Sequence, residues 1–536
     1  MGSFRGRKLR ITGSAGLLIV AGIFLFVRLG HYAPWDDEAT TLLHAQSVWE
    51  HGEAYIARGG GNIVAYQNGI LAKDGINMAD PPLQFYLAAP FVGLGGGGTF
   101  IGRLPFALCG LATIGLILWW LDRDCDDDVT FILFIIAFTT CTVLWLYFRQ
   151  ARYYAPAILL STLSAYLYLH YDGRRKLIGL GVSLALLLLT HYLLFIAVCA
   201  CISIDYLVWQ RRETPLKWRD WLIVLAAPIL AAMYIAIFRF PPASATAATH
   251  QGGNTVGQKL LLFLYELRDM NTDELMPVIL LPVALLIAVR NDARPLRRLL
   301  VCFFGYIVVI AAVAPTSVAK SAQAETRYLS PLIPVCLAIV VLTIRQIMRR
   351  APVAGWTLAV MAFGTTLLHL LIPSRHTNLF ATPARSTILS FPRELIAPPG
   401  DPFVPTAKWM NANMKPGQSI AAFPLHMEYP LMFLKPDVVY GWQLDAKQPP
   451  PLANLPEIHF RGGAAPDYVI FFGRHEGMVK DVDARLAGVA EYEPAATLKA
   501  SANVNHRPEI SWHCFSQREY DPKTESIVIW RRKDLK

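Results

Sequence analysis

The chain has 536 residues, of which 54% are hydrophobic and only 16% charged, and its mean hydropathy is +0.38. An ordinary soluble protein carries about 25% charged residues, so that class is excluded. The net charge of +10 does not point to nucleic acid, because Lys and Arg sit in short clusters between apolar runs, as they do in cytoplasmic loops of membrane proteins. Of eight cysteines, seven lie in or beside apolar runs and Cys514 lies alone in a polar tail; no disulfide or zinc spacing is present.

Residues 11–29, 104–121, 129–148 and 354–372 are nearly free of charge. Apolar runs of about 17–25 residues match the hydrocarbon thickness of a bilayer. The N-terminal cluster Arg5, Arg7, Lys8 and Arg10 followed by an apolar run also has the look of a signal peptide. No clean small-x-small cleavage site follows it, so an uncleaved first span with the N-terminus inside is expected. Residues 30–102 then form a long outer loop, and the second span returns to a turn at Arg123. The third exits to the short segment 149–156, and the fourth returns to Arg174, Arg175 and Lys176. Residues 177–209 are too long for one span and fit a hairpin turning near His191. That choice returns Arg211, Arg212, Lys217 and Arg219 to the inside, as the charge rule requires. Later spans alternate between the outer loops 239–274 and 316–329 and inner clusters at Arg290–Arg298 and Arg345–Arg350. The threading gives about eleven spans, N-in and C-out.

Two domains are expected: residues 1–375, a helical polytopic membrane unit whose outer loop 30–103 carries an acidic motif, and residues 376–536, a soluble extracytoplasmic α/β domain. In the second, short β-like runs (419–423, 438–440, 468–472, 527–530) alternate with helix-like stretches (406–414, 479–488) between proline-rich connectors, a pattern of small α/β domains.

The polar residues that can carry chemistry gather on the outer loops. Asp36-Asp37-Glu38 begins just after the first span. A carboxylate at the bilayer centre costs about 2.5–3.5 kcal/mol, so the triplet belongs at the water interface or in a cavity. It equally suits the start of a solvated helix, since acidic residues favour the positive end of the helix dipole; a short amphipathic helix is expected over 40–50. The loop closes on Asp80-Pro81-Pro82, where the prolines stop helix on their N-terminal side. The other outer loops carry Arg149, Gln150, Arg152, Tyr153 and Tyr154; Thr190-His191-Tyr192; Lys320; and Glu325-Thr326-Arg327-Tyr328. Taken singly, Arg and Tyr are ordinary interface anchors and His191 can cap a turn. Together they suit an anionic lipid-linked substrate: guanidiniums pair with phosphate and a carboxylate can take a proton.

In these elements the chain resembles the GT-C glycosyltransferases of the protein mannosyltransferase and aminoarabinose (lipid A) transferase type, over about residues 10–375. The resemblance is carried by Asp37-Glu38, Pro81-Pro82-Leu83, Arg103-Leu104-Pro105, Arg152-Tyr153, Thr190-His191-Tyr192, and Arg327-Tyr328 with Pro331. It implies transfer of a sugar from a polyprenyl-phosphate carrier to an acceptor outside the cytoplasm, with Asp37 as general base and inversion at the anomeric carbon. Glu38 and Asp80 would orient the acceptor or Asp37. Arg149, Arg152, Arg327 and Lys320 would hold the lipid phosphate, with Tyr153, His191, Glu325 and Tyr328 around them. Such relatives often have an acidic residue just before the Arg-Tyr element and His or Lys before the double proline, where this chain has Gln150 and Asp80. A divalent metal is therefore left open and is not required by the motifs. The implied partners are the lipid-linked donor, membrane lipids and an extracytoplasmic acceptor that is a lipid, glycan or protein, with no nucleic acid. The implied location is the bacterial inner membrane, with the site and C-terminal domain facing the periplasm. A lipid-linked polysaccharide polymerase or ligase shares the spans and arginines but not the early acidic pair with Pro-Pro. A transporter or flippase would place ionisable residues near the midplane, with repeats or broken helices, and the sequence shows no such pattern.

Overall fold

The structure, a computed structural model, describes residues 2–58, 62–64, 72–78, 80–239, 255–291, 293–314, 325–373, 382–398, 400–424, 426–441, 465–473, 490–500 and 526–535. Its first fifteen principal helices run in chain order as α1 (Gly2–Phe26), α2 (Asp36–His51), α3 (Leu83–Leu94), α4 (Thr99–Asp124), α5 (Asp128–Thr140), α6 (Thr142–Phe148), α7 (Tyr154–Leu169), α8 (Arg174–Thr190), α9 (Tyr192–Asp205), α10 (Trp218–Tyr234), α11 (Val256–Thr272), α12 (Leu281–Arg290), α13 (Arg294–Val313), α14 (Ile333–Arg350) and α15 (Pro352–Gly364). Among the described residues, six helical stretches are long and apolar enough to cross a bilayer, and α5 with α6, bent by 60°, makes a seventh if taken as one span. The runs 11–29, 104–121 and 129–148 fall largely on helix, the last with a break at Cys141, whereas the run 354–372 is helical only to Gly364 and again over Leu367–Leu370. Eleven crossings need shorter apolar helices as well, and that count is taken up below as a proposal. Two helices were not expected from the sequence: the apolar helix α3, which follows the double proline, and α11, which lies inside the stretch 239–274 expected as an outer loop.

The helices share two ends. At one, ion pairs join neighbouring helix termini: Arg10 Nε to Asp128 Oδ1 (2.9 Å), Arg298 Nε to Asp205 Oδ1 (2.7 Å) and Arg345 Nη2 to Asp127 Oδ1 (3.1 Å). The Tyr171 hydroxyl, just past α7, donates to Thr214 Oγ1 beyond α9 (2.9 Å) at this same end. Thus α8 leaves from the end to which α9 returns, and the turn between them is the single extended residue His191 (φ −165°, ψ 119°). Close packing inside the bundle uses a small residue where two backbones meet: a Cβ on Gly181 of α8 would stand 2.7 Å from the Val224 carbonyl oxygen of α10.

At the opposite end lie α2, α3 and the C-terminal segment. Helix α2 begins with Asp36, Asp37 and Glu38 in its first turn, where the dipole favours them, and stops at Gly52, whose φ of +79° gives a left-handed cap. The C-terminal segment adds α16 (Thr387–Ile396), α17 (Phe403–Asn413) and α18 (Glu428–Leu434) and the strands β3 (Ser419–Phe423), β4 (Val439–Gly441), β5 (Tyr468–Phe472), β6 (Tyr492–Lys499) and β7 (Ser526–Arg532); β1 (Ala72–Lys73) and β2 (Ile76–Asn77) form a small ribbon in the first loop. The sheet order is β4-β3-β5-β7-β6, parallel across β4, β3 and β5 and antiparallel across β5, β7 and β6. Its central strand β5 is buried throughout, as a covered parallel strand should be. The four strands expected from the sequence are present within a residue or two at each end. Strand β6 and helix α18 were not expected, and the stretch 479–488 lies outside the described residues.

Three contacts tie this segment to the first loop. Asn62 donates to the Val438 carbonyl (2.9 Å) and accepts from the Tyr440 amide (2.7 Å), covering the sheet edge at β4, an edge that would otherwise be open to mispairing. The Asp401 carboxylate accepts from the amides of Phe403 (2.7 Å) and Val404 (3.1 Å) at the start of α17 and from the Ala33 amide just after α1. Helix α18 packs against α2. Asn62 is buried, and each polar group left unpaired in such a place costs about 1–3 kcal/mol. Asn62→Ala should therefore lower the melting temperature of the purified protein in thermal unfolding, and an unchanged value would show that other contacts hold the loop.

Candidate active site

The site is built on the first turn of α2, where two adjacent carboxylates take opposite directions. Glu38 is fully buried (0% exposed). Its Oε1 accepts from Arg103 Nε (2.9 Å) and the Ala151 amide (2.7 Å), and its Oε2 accepts from Arg103 Nη2 (2.5 Å). The rest of the Arg103 guanidinium donates to the carbonyls of Leu29 (3.0 Å), Tyr32 (3.1 Å) and Ala33 (3.3 Å). Glu38 therefore does not face a substrate. It pins α2 to α4, to the exit of α1 and to the turn before α7.

Asp37 is the accessible member, with its side chain 24% exposed. Its Oδ2 accepts from Arg327 Nη1 (3.0 Å) and lies 3.4 Å from Arg152 Nη2. Arg152 also reaches Thr41 Oγ1 (3.2 Å), one turn along α2, and lies 3.7 Å from Asp80 Oδ1. Arg327 is chelated by Glu325 through Nε (2.9 Å) and Nη2 (2.6 Å). The His191 ring packs on Tyr153 (4.4 Å between centroids) and Tyr328 (5.4 Å), and each guanidinium stands over the ring of its chain neighbour, Arg152 over Tyr153 and Arg327 over Tyr328, both at 5.5 Å. Asp37, Asp80, Arg152, Tyr153, His191, Glu325, Arg327 and Tyr328 are thus one cluster, although they come from five separate stretches of the chain.

Two expected members lie elsewhere. Arg149 does not reach the cluster: its Nη1 donates to the carbonyls of Phe24 (2.6 Å), Leu25 (3.2 Å) and Val27 (2.9 Å), capping the C-terminus of α1. A cation is favourable there, where the last carbonyls of a helix lack partners. Lys320 lies outside the described residues. Gln150 Oε1 accepts from Trp35 Nε1 (2.8 Å). Among the described residues no group of three or more His, Cys, Asp or Glu side chains converges in a metal-holding arrangement, and the space between Asp37 and Asp80 is occupied by the Arg152 guanidinium.

The electrostatics follow from burial in a charged cluster. Burial pushes the Asp80 carboxyl above its ordinary value, while Arg152 pulls it back. Burial alone would lower Arg152; Asp37 and Asp80 more than reverse this, so the guanidinium is held above its usual range. His44, on the same face of α2 and buried against Phe85, is held down to about 3 by burial and is neutral. The sequence did not single out Thr41 or His44, although their spacing of four and seven from Asp37 repeats one helical face. Two residues of the C-terminal segment also approach: Glu428, buried at the start of α18, feels Asp36, and His426 feels Asp37.

These features describe a helical membrane protein with an Asp-Arg cluster where α2 meets the helix ends opposite the Arg298–Asp205 end, and its fold is GT-C-like. Residues 79–237 match the dolichyl-phosphate-mannose-protein mannosyltransferase family. The structure of ArnT from Cupriavidus metallidurans bound to undecaprenyl phosphate is similar with a TM-score of 0.58 at 12% identity, over 96% of this chain and 97% of that one. The apo structure of the same ArnT gives a TM-score of 0.56 at 12% identity, over 97% of each chain. At that identity the likeness is one of fold. No curated protein matches the chain in sequence.

Arg103→Ala would leave the buried Glu38 charge unpaired, at a cost of about 3–5 kcal/mol. It should cut the yield of monodisperse protein in size-exclusion chromatography, while a Glu38→Leu/Arg103→Leu double variant recovers much of it. Glu428 supplies a pH test. Burial raises its carboxyl from 4.5 to about 8, so the folded state binds a proton that the unfolded state has released. Stability conferred by the neutral acid is present below about pH 4.5 and falls as pH rises to about 8, by about 1.4 kcal/mol per pH unit at most. Glu428→Gln should flatten the dependence of melting temperature on pH across that window; an unchanged slope would show that Glu428 is not its source.

Proposed function

We propose that the protein is an integral membrane glycosyltransferase that moves a sugar from a polyprenyl-phosphate donor to an acceptor outside the cytoplasm. The observation that carries this reading is the Asp37 carboxylate held by Arg152 and Arg327 at an accessible position. Likeness in fold to an ArnT whose structure contains undecaprenyl phosphate supports the choice of donor. In the proposed reaction the lipid phosphate lies against Arg327 and Arg152. Asp37 takes the proton of the acceptor hydroxyl or amine as that group bonds to the anomeric carbon. The bond from that carbon to the phosphate oxygen breaks, its electron pair leaves with the phosphate, and the single displacement inverts the centre. Fixed guanidiniums stabilise the charge that develops on the leaving phosphate, and do so most effectively where water is scarce. No metal enters this reaction as written: a guanidinium already stands between Asp37 and Asp80, and Gln150 brings no charge. Glu38 acts as a positioning residue for Asp37.

The proposal includes the topology. The chain crosses the bacterial inner membrane about eleven times, with the N-terminus inside and the Asp37 end facing the periplasm. Residues 1–375 form the catalytic membrane unit and 376–536 a separate periplasmic α/β unit.

Loss of a well-placed general base costs about 10²–10⁴-fold in rate. Asp37→Asn should therefore abolish the modification while the chain still reaches the membrane at its normal level. Mass spectrometry of envelope lipids and surface glycans from cells with the protein, without it, and with the variant would reveal the missing sugar and its acceptor together. Normal modification in the variant would remove Asp37 as base.

A further inference from the structure

The turn that leads into α18 carries an unusual residue. His426 has a φ of +76°, in the left-handed region that residues with a Cβ avoid and that glycine or asparagine fills with less strain. Such strain persists where surrounding structure enforces it, and it concentrates at working sites. The surroundings here do enforce it. The Met427 side chain is buried in the main core together with Tyr429 and Leu431, and α18 packs on α2. The His426 ring stacks on Tyr429 at 5.6 Å with an interplanar angle of 22°. With α18 packed on α2, this turn is within electrostatic reach of the first turn of α2, where Asp37 acts on His426 and Asp36 on Glu428.

We propose that His426 completes the acceptor half of the site: its imidazole contacts the incoming hydroxyl-bearing acceptor beside Asp37 and orients the attacking group. The inference rests on the glycosyl-transfer reading above and adds a residue from the C-terminal segment to it. His426 forms no covalent bond and keeps no proton; the proton goes to Asp37 and the electron pair to the phosphate, as in the reaction already written. Burial holds the imidazole below its ordinary value in spite of Asp37, so the ring is neutral and offers one donor and one acceptor nitrogen. The phosphate side of the site, Arg152 and Arg327, is drawn from the membrane helices, so donor and acceptor are held by different parts of the chain.

The left-handed φ makes the test decisive. In the full-length purified protein, His426→Gly relieves the backbone and removes the ring, while His426→Asn tolerates the same φ and keeps a hydrogen-bonding group. The expected result for His426→Gly is a melting temperature equal to or above wild type, with envelope modification in cells reduced about 10- to 100-fold, the scale set by a misplaced reactant. His426→Asn should recover part of that loss. Binding of undecaprenyl phosphate, read by thermal shift, should be unchanged in both. Wild-type modification in His426→Gly, or loss of undecaprenyl phosphate binding along with it, would overturn the proposal. Asp37→Asn run in parallel separates the two readings: if it is inactive while His426→Gly is fully active, only the role of His426 fails.

Discussion

The ion pair between Glu38 and Arg103 is the constraint on which the site depends. A buried pair of this kind is weak evidence of stability by itself, because desolvation of two charges offsets their attraction. What it fixes is direction. Adjacent residues on an α-helix project about 100° apart. With Glu38 locked onto Arg103 and the Ala151 amide, Asp37 must project to one side of α2, and that side faces Arg152 and Arg327. The same guanidinium gathers the carbonyls of Leu29, Tyr32 and Ala33, so the chain leaving α1 is set by the group that sets α2.

The second level of organisation is charge. Arg152 sits between Asp37 and Asp80, and Arg327 between Asp37 and Glu325. Each guanidinium is buried or half-buried, a position that needs carboxylate partners. Aromatic rings of Tyr153, Tyr328 and His191 form the wall behind them. Arg149 is different: it sits one turn of chain away and spends its donors on the end of α1. Two arginines in the same short loop thus divide into one that binds within the cluster and one that anchors a helix.

This division explains what the sequence could and could not show. Hydropathy and the placement of Lys and Arg located most of the apolar helices, because bilayer thickness and charge asymmetry shape the spans, but not α3 or α11, which lie in stretches expected as loops. They also placed the His191 turn correctly between α8 and α9, since only that turn returns the following basic cluster to the end shared with Tyr171. Strands β3 and β5 were legible as short runs rich in apolar residues. Strand β6 was not: it contains Pro494 and alternates at an exposed edge, so it lacks the buried run that marks a central strand. At the site, the cluster of Asp37, Arg152 and Arg327 was legible from loop order. The opposite roles of Asp37 and Glu38 were not, because adjacent carboxylates look alike until the partner on α4 is in place. Arg149 and Arg152 were indistinguishable for the same reason, and the approach of His426 and Glu428 depends on a contact between segments nearly 400 residues apart.

The ion pairs also give the proposed reaction an order. Arg327 is shared between Glu325 and Asp37, and Glu325 holds it through two nitrogens while Asp37 takes one. A phosphate arriving at Arg327 competes with the weaker of these grips, which is that of Asp37. A carboxylate released from a cation binds a proton more readily. Donor binding would thus make Asp37 a better base at the moment an acceptor can use it, while Glu38, one residue along and wholly buried, keeps it from turning away. In the proposed reaction the same exchange would keep a nucleophile from being activated when no donor is present, because Asp37 stays paired with Arg327 until the phosphate displaces it.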